Sequence, residues 1–206
     1  MAKTLSLLSI LSLILTFVVG VEFFELDGKC ELQWYYNAGS GYYSIRLRMP
    51  NHYYVAFSYG GTHINSDMIV FKADGTASMF YDMYSYGYNE PVKDFTNNYS
   101  GSASYTQSTD SVYFQYTRYL NTYDVLDYVM DLNQPIRMGY AIREYDNDKI
   151  KDQTSWENNF GEHNRVGYFN LILWSNGTTT YDSFQSASNL SCTVISCALI
   201  IMAGLF

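Results

Sequence analysis

Histidine, cysteine, proline and positive charge are all scarce in this chain. Its 206 residues include three histidines, three cysteines and three prolines. The histidines, His52, His63 and His163, are too few for most multi-histidine metal sites, and the copper-oxygenase type of cluster is absent. No HExxH, GxSxG or phosphate-loop motif occurs. Cys192 and Cys197 lie in the apolar C-terminal tail, which leaves Cys30 alone in the body of the chain. A disulfide framework within that body is therefore excluded; Cys30 either packs as a small apolar residue or bridges to another molecule. Twelve Lys and Arg against 20 Asp and Glu give a net charge of -8, which excludes the basic footprint of a nucleic-acid binder. Helical periodicity is never sustained over three turns, and no repeat of fixed period is present.

What is present is aromatic. Phe, Trp and Tyr make up 18% of the chain, 22 of them tyrosines, a composition suited to half-buried strands. Tyr43-Ser-Ile45-Arg-Leu47-Arg-Met49 alternates apolar and polar without a break, so one face is buried and the other wet. Tyr53 to Tyr59 is nearly all apolar, the pattern of a central strand covered on both sides, and Gly60-Gly61 ends it. Further strands are expected over Glu31 to Tyr36, Met68 to Lys72, Thr76 to Met83, Ala103 to Gln107, Ser111 to Arg118, Ile136 to Tyr145 and Val166 to Trp174. Ala73-Asp-Gly75 and Ser108-Thr-Asp110 read as hairpin turns. Short strands at this spacing predict an all-β, immunoglobulin-like antiparallel sandwich of about 9–11 strands.

Both ends carry the marks of processing. Met1-Ala-Lys3, an apolar run from Leu5 to Val19, and Val18-Val19-Gly20 read as a signal peptide over residues 1–20. The C-terminus is apolar from about Thr193 to Phe206 with no basic residue after it, and small residues Ser186-Ala187-Ser188 precede it. A short apolar tail behind a run of small residues reads as a GPI-anchor signal over 189–206, with a retained membrane-buried tail as the alternative. The domain would then span 21–188, long enough for one hydrophobic core. In a secreted chain Asn98-Tyr-Ser100 and Asn176-Gly-Thr178 are glycosylation sequons. The chain is thus expected at the cell surface, held to the membrane by a lipid.

One stretch exceeds what a generic strand requires. From Phe114 it runs Gln-Tyr116-Thr-Arg118-Tyr-Leu120-Asn-Thr122-Tyr-Asp124-Val-Leu-Asp127. Three other blocks accompany it: Tyr53-Tyr-Val55-Ala56-Phe57-Ser-Tyr59-Gly60, Asp67-Met68-Ile-Val70, and Asp82-Met-Tyr84-Ser85-Tyr-Gly87 followed by Pro91 and Asp94. In this order the blocks resemble the DOMON family, the sandwich module named for dopamine β-monooxygenase and found in the cytochrome domain of cellobiose dehydrogenase. The resemblance covers roughly Gly28 to Trp174. Copper chemistry is not inherited with it, since that lies outside the module.

What the resemblance implies is a b-type haem held by two axial residues. The family's first ligand, usually Met, comes from the loop after the central strand; here the paired glycines put His63 at that position, with Met68 five residues on. Met68 or Met83 would be the replacement. Glu162-His163-Asn-Arg165-Val-Gly167-Tyr-Phe169 resembles the family's second ligand motif and points to His163. Two strong axial ligands close the iron to oxygen and substrate, which favours outer-sphere electron transfer or redox sensing over catalysis. Histidine in place of methionine lowers the expected potential. Haem would be the bound partner, ascorbate or a separate transmembrane cytochrome the redox partner. A haem-free surface module is the alternative, with aromatics such as Trp156 stacking on carbohydrate. Arg118 is left open between a haem propionate and a loop acid, and Asp124 and Asp127 between a calcium or acid–base pair and strand termination through local hydrogen bonds. His52 reads as a turn residue.

Overall fold

The computed structural model describes residues 24–26, 28–61, 63–74, 77–87, 91–144 and 165–184. The expected signal segment, the C-terminal tail, Trp156 and His163 lie outside these residues. Among the described residues twelve strands form in chain order: β1 (Phe24–Leu26), β2 (Cys30–Asn37), β3 (Tyr42–Pro50), β4 (Tyr53–Tyr59), β5 (Ser66–Ala73), β6 (Ser78–Ser85), β7 (Val92–Lys93), β8 (Ser100–Thr106), β9 (Ser111–Tyr119), β10 (Pro135–Glu144), β11 (Arg165–Leu173) and β12 (Thr179–Phe184). The sole helical element among the described residues is a short 3-10 turn, Gln107–Thr109, and no described helix is long and apolar enough to cross a membrane.

The strands make two antiparallel sheets. One has the order β1-β2-β3-β9-β8, the other β12-β11-β10-β4-β5-β6-β7. Short β1, β7 and β12 escape sequence reading because they are edge strands without a full apolar alternation. Ser100 to Ser102 reads as loop from its polarity, yet pairs as the start of β8 against Thr117, Tyr116 and Gln115 of β9. It is an exposed edge, so backbone pairing rather than side-chain burial holds it there.

The alternation in β3 is realised as expected: Tyr43, Ile45, Leu47 and Met49 are fully buried, while Arg46 and Arg48 face out toward Gln33 and Glu31 of β2. β4 lies between β10 and β5 and buries all seven residues, as its unbroken apolar run required. Between the sheets, aromatic rings interlock edge to face: Trp34 with Phe57 at 4.9 Å, Phe57 with Phe71 at 6.2 Å, Phe71 with Phe114 at 5.3 Å. Such pairs each add roughly 0.5–1.5 kcal/mol beyond the area they bury. Cys30 is buried and unpaired, the packing role rather than a bridge.

A second apolar cluster lies on the other face of the seven-stranded sheet. Tyr54, Ala56, Met68, Val70, Tyr81 and Met83 form it. Because side chains alternate along a strand, Tyr54 and Ala56 must point away from the core that holds Val55 and Phe57. The double coverage of β4 therefore needs something on this outer face.

Candidate functional site

Two places concentrate polar chemistry: a buried ionic node between the sheets and a cavity on the outer face of the seven-stranded sheet. The node is built from the residues that made the sequence distinctive. Arg118 follows Val112, Phe114 and Tyr116 inward along β9 and is completely buried at its side chain. Its Nη1 donates to Asp67 Oδ2 at 2.8 Å and lies 3.4 Å from Asp127 Oδ1; its Nη2 donates to the Tyr128 carbonyl at 2.7 Å. The guanidinium also lies over the rings of Tyr99, Tyr59 and Tyr43 at 4.9, 5.4 and 5.6 Å. The hydroxyls of those tyrosines form a closed triangle with edges of 2.9 to 3.1 Å.

Asp82 completes the node by accepting the Asn98 backbone N–H at 3.0 Å. Asp127 accepts Asn98 Nδ2 at 2.9 Å and the Thr122 hydroxyl at 2.5 Å. Three carboxylates and one guanidinium leave the node short of positive charge. Burial raises Asp82 to about 7 and Asp67 to about 6, the latter despite the opposing pull of Arg118 and the Tyr128 N–H. Asp127 is also raised, again chiefly by burial. One oxygen from each of Asp67, Asp82 and Asp127 lies within 4.8 Å of the others, a spacing a hard cation would accept. Arg118 already pairs with two of the three, and the observed interactions are those of a buried strut. Arg118 is thus too deep to meet a haem propionate; it takes the loop-acid role through Asp127. Asp124 caps its own turn, accepting the Leu126 N–H at 3.0 Å, so the two acids act as scaffold rather than as a catalytic pair.

The cavity measures about 190 Å³. This is below the roughly 300–1,000 Å³ of common small-molecule sites, and the chain from 145 to 164 is not among the described residues that border it. Its floor is made of Ala56 and Ser58 from β4, Met68 and Val70 from β5, and Gly139 and Ala141 from β10. The register explains why these meet: Ser58 pairs with both Met68 and Gly139, and Ala56 with both Val70 and Ala141. Small side chains in the centre leave the hollow, and Tyr54, Val166 and Tyr168 form its walls. Among the described residues, none that lines the cavity is acidic.

His63 stands at the cavity, in the loop after β4. Its Nδ1 lies 2.9 Å from the Gly87 carbonyl and 3.1 Å from the Ser85 hydroxyl. A carbonyl only accepts, so that contact assigns the proton to Nδ1 and leaves the lone pair on Nε2. The Ser85 hydroxyl itself bonds the carbonyls of His63 and Gly87, which ties the loop to the end of β6. Met68, the other residue expected near the ligand, is a buried part of the floor. His163 lies outside the described residues. β11 begins at Arg165 opposite Ile142, about four residues along β10 from the end where His63 sits, or ~13 Å at strand rise. His52 occupies a tight turn with φ 63° and does not line the cavity.

The four sequence blocks thus converge on one architecture, two sheets clamped by the Arg118 node. The DOMON domain family model matches residues 26–143. The chain belongs to the DOMON family. Among solved structures it is similar to the cytochrome b domain of pyranose dehydrogenase from Coprinopsis cinerea, at 12% identity and TM-score 0.56, covering 72% of this chain and 79% of that one. It is also similar to the cytochrome domain of Myriococcum thermophilum cellobiose dehydrogenase, at 10% identity and TM-score 0.54, covering 76% and 83%. No curated protein matches it. At these identities the likeness is one of fold.

Several residues of the candidate site escaped sequence reading. Ser85 and Gly87, which orient His63, sit inside a family block but 22 and 24 residues away from it. Gly139 and Ala141 were hidden in a strand whose inner face is the more conspicuous. The signal was available: on alternate positions β10 reads Arg137, Gly139, Ala141, Arg143, two small residues between two cations.

The sequon asparagines differ. Asn176 lies in the exposed turn before β12, its Oδ1 accepting from Thr178 at 2.7 Å. Asn98 is half buried, and its Nδ2, the atom a glycan would need, is engaged with Asp127.

Proposed function

We propose that this DOMON protein binds b-type haem in the outer cavity of its seven-stranded sheet and serves at the cell surface in electron transfer or redox sensing. The observation that carries the reading is the state of His63. Its Nδ1 is committed to the Gly87 carbonyl, the arrangement by which a histidine is held in the tautomer and orientation that ligates a metal through Nε2. The floor is apolar and its central residues are small, as a flat hydrophobic group requires. His63 and His163 are the residues that would hold the iron, with Met68 as the neighbouring thioether. When bound with two such ligands, the haem supplies one-electron chemistry with no open coordination site.

The cell-surface setting rests on the sequence of the two ends: a signal-peptide pattern over 1–20 and an apolar tail over 189–206. The chain would take electrons from a small reductant such as ascorbate or from a separate membrane protein.

The test is spectroscopic. Protein expressed with added haem should be red, with a Soret band that shifts on dithionite reduction. His63→Ala and His163→Ala should each lose the six-coordinate low-spin spectrum. A colourless wild type, or unchanged haem spectra in both variants, sinks the reading. Binding of the colourless protein on a glycan array would instead support the haem-free, carbohydrate-binding alternative.

A further inference from the structure

We propose that Arg137 is the anion-binding residue of the outer cavity and selects for ligands that carry a carboxylate on an otherwise apolar, planar body. The inference rests on the haem-pocket reading for the shape of the ligand but concerns a different contact.

Arg137 lies on the outer face of β10, one position before Gly139 on that face. Its guanidinium carbon sits 4.9 Å from the centroid of the Tyr168 ring, which lines the cavity. Its stem crosses Gly61, another lining residue: a Cβ there would approach Arg137 Cγ to 2.5 Å and Cδ to 2.7 Å. The glycine after β4 thus does more than end the strand, since its missing side chain is the space through which Arg137 reaches the cavity edge. The contact with Tyr168 holds the guanidinium beside the cavity, and no hydrogen bond to a described residue occupies its N–H groups. A guanidinium so held presents the paired donors that match a carboxylate.

The charge balance points the same way. Three other described cations are held by acids: Lys29 pairs with Glu144, Arg48 with Glu31, and Arg118 with Asp67 and Asp127. Among the described residues no carboxylate forms an ion pair with Arg137, and none lines the cavity. A cation held against an aromatic ring beside an apolar hollow, with no described acid to neutralise it, is complementary to an apolar ligand with an acidic edge. Arg118, the earlier candidate for this role, is sealed between the sheets and cannot perform it.

The experiment uses metal-free protoporphyrin IX and its dimethyl ester as probes, each titrated against the full protein and followed by porphyrin fluorescence. Without iron, axial ligation contributes nothing to either affinity, so the comparison isolates the carboxylate contact. Wild type should bind the diacid about tenfold more tightly than the diester, the equivalent of ~1.4 kcal/mol. Arg137→Gln should reduce that preference to within about twofold while leaving diester affinity as in wild type. Ala141→Phe, which fills the floor, should abolish binding of both. The proposal is overturned if wild type does not bind the diacid, binds diacid and diester alike, or if Arg137→Gln keeps the full preference. Failure of iron ligation alone would appear elsewhere, as haem spectra unaffected by the His63 and His163 variants.

Discussion

Replacing Asp82 with Asn should make the protein more stable at neutral and alkaline pH, although it alters a buried hydrogen-bonded residue. Asp82 is 3% exposed, and its Oδ1 has no hydrogen-bond partner. Burial, assisted by Asp67 and Asp127, lifts it from 3.8 to about 7, while the Asn98 N–H works against the rise. With the folded pKa above the unfolded one, this carboxyl contributes its full stability below about 3.8 and loses that contribution as pH rises through about 7. A shift of roughly three units corresponds to about 4 kcal/mol in total. About 2–3 kcal/mol of that falls between pH 5 and pH 8. Asn keeps an oxygen for the Asn98 N–H and supplies donors toward the orphan oxygens of Asp67 and Asp127, but it does not ionise. Urea denaturation, followed by the fluorescence of the buried Trp34, should therefore show wild type weakening from pH 5 to pH 8 and Asp82→Asn weakening much less. The variant should be the more stable protein at pH 8. Parallel pH profiles for the two, or a less stable variant at pH 8, would refute the assignment of the proton to Asp82.

Other consequences follow from the same two places. Arg118→Met should cost about 3–5 kcal/mol or abolish folding at pH 8, because it strands buried carboxylates, and the loss should shrink at pH 5, as measured by thermal or urea unfolding. Tyr59→Phe removes one corner of the hydroxyl triangle but leaves Tyr43 and Tyr99 bonded to each other, so it should cost only about 1 kcal/mol and leave haem uptake unchanged. Ala141→Phe should show the opposite pattern. Its unfolding midpoint should change little, because the site lies on the outer face and not between the sheets, while Soret absorbance after haem reconstitution is lost.

Much of the framework was legible because strands write a period of two into the sequence. β3 and β4 were readable almost residue by residue: one alternates and is half wet, the other is apolar throughout and covered on both faces. The edges were not legible. β1, β7, β12 and the first three residues of β8 are held largely by backbone pairing to a neighbour, and backbone pairing leaves no mark on side-chain chemistry. Gly167 shows a residue whose motif position was recognised but whose reason was not: a Cβ there would come within 2.5 Å of the Tyr140 ring on the paired strand. Only the register reveals that contact.

The distinctive run from Phe114 to Asp127 was legible as a signature but not in its purpose. Arg118 is 51 residues from Asp67, and Asp82 is 16 from Asn98. The meeting of Arg118 with Asp67, Asp127 and three tyrosine rings is a property of two sheets packed face to face. His63 was found from its place after the paired glycines, but its tautomer was set by Gly87, which only the pairing of β5 with β6 brings near.

The amino-acid sequence by itself determined the class of fold, the family and which faces of the long strands are apolar, since these depend on local periodicity and on residues at fixed offsets. The tertiary structure alone decided where charge is balanced and where it is not. It buried Arg118 among acids and left Arg137 with no ion pair among the described residues, at the edge of an apolar hollow. The physical reason is that burial and ion pairing depend on distances across sheets, and residues far apart in the chain are brought within those distances only by the packing.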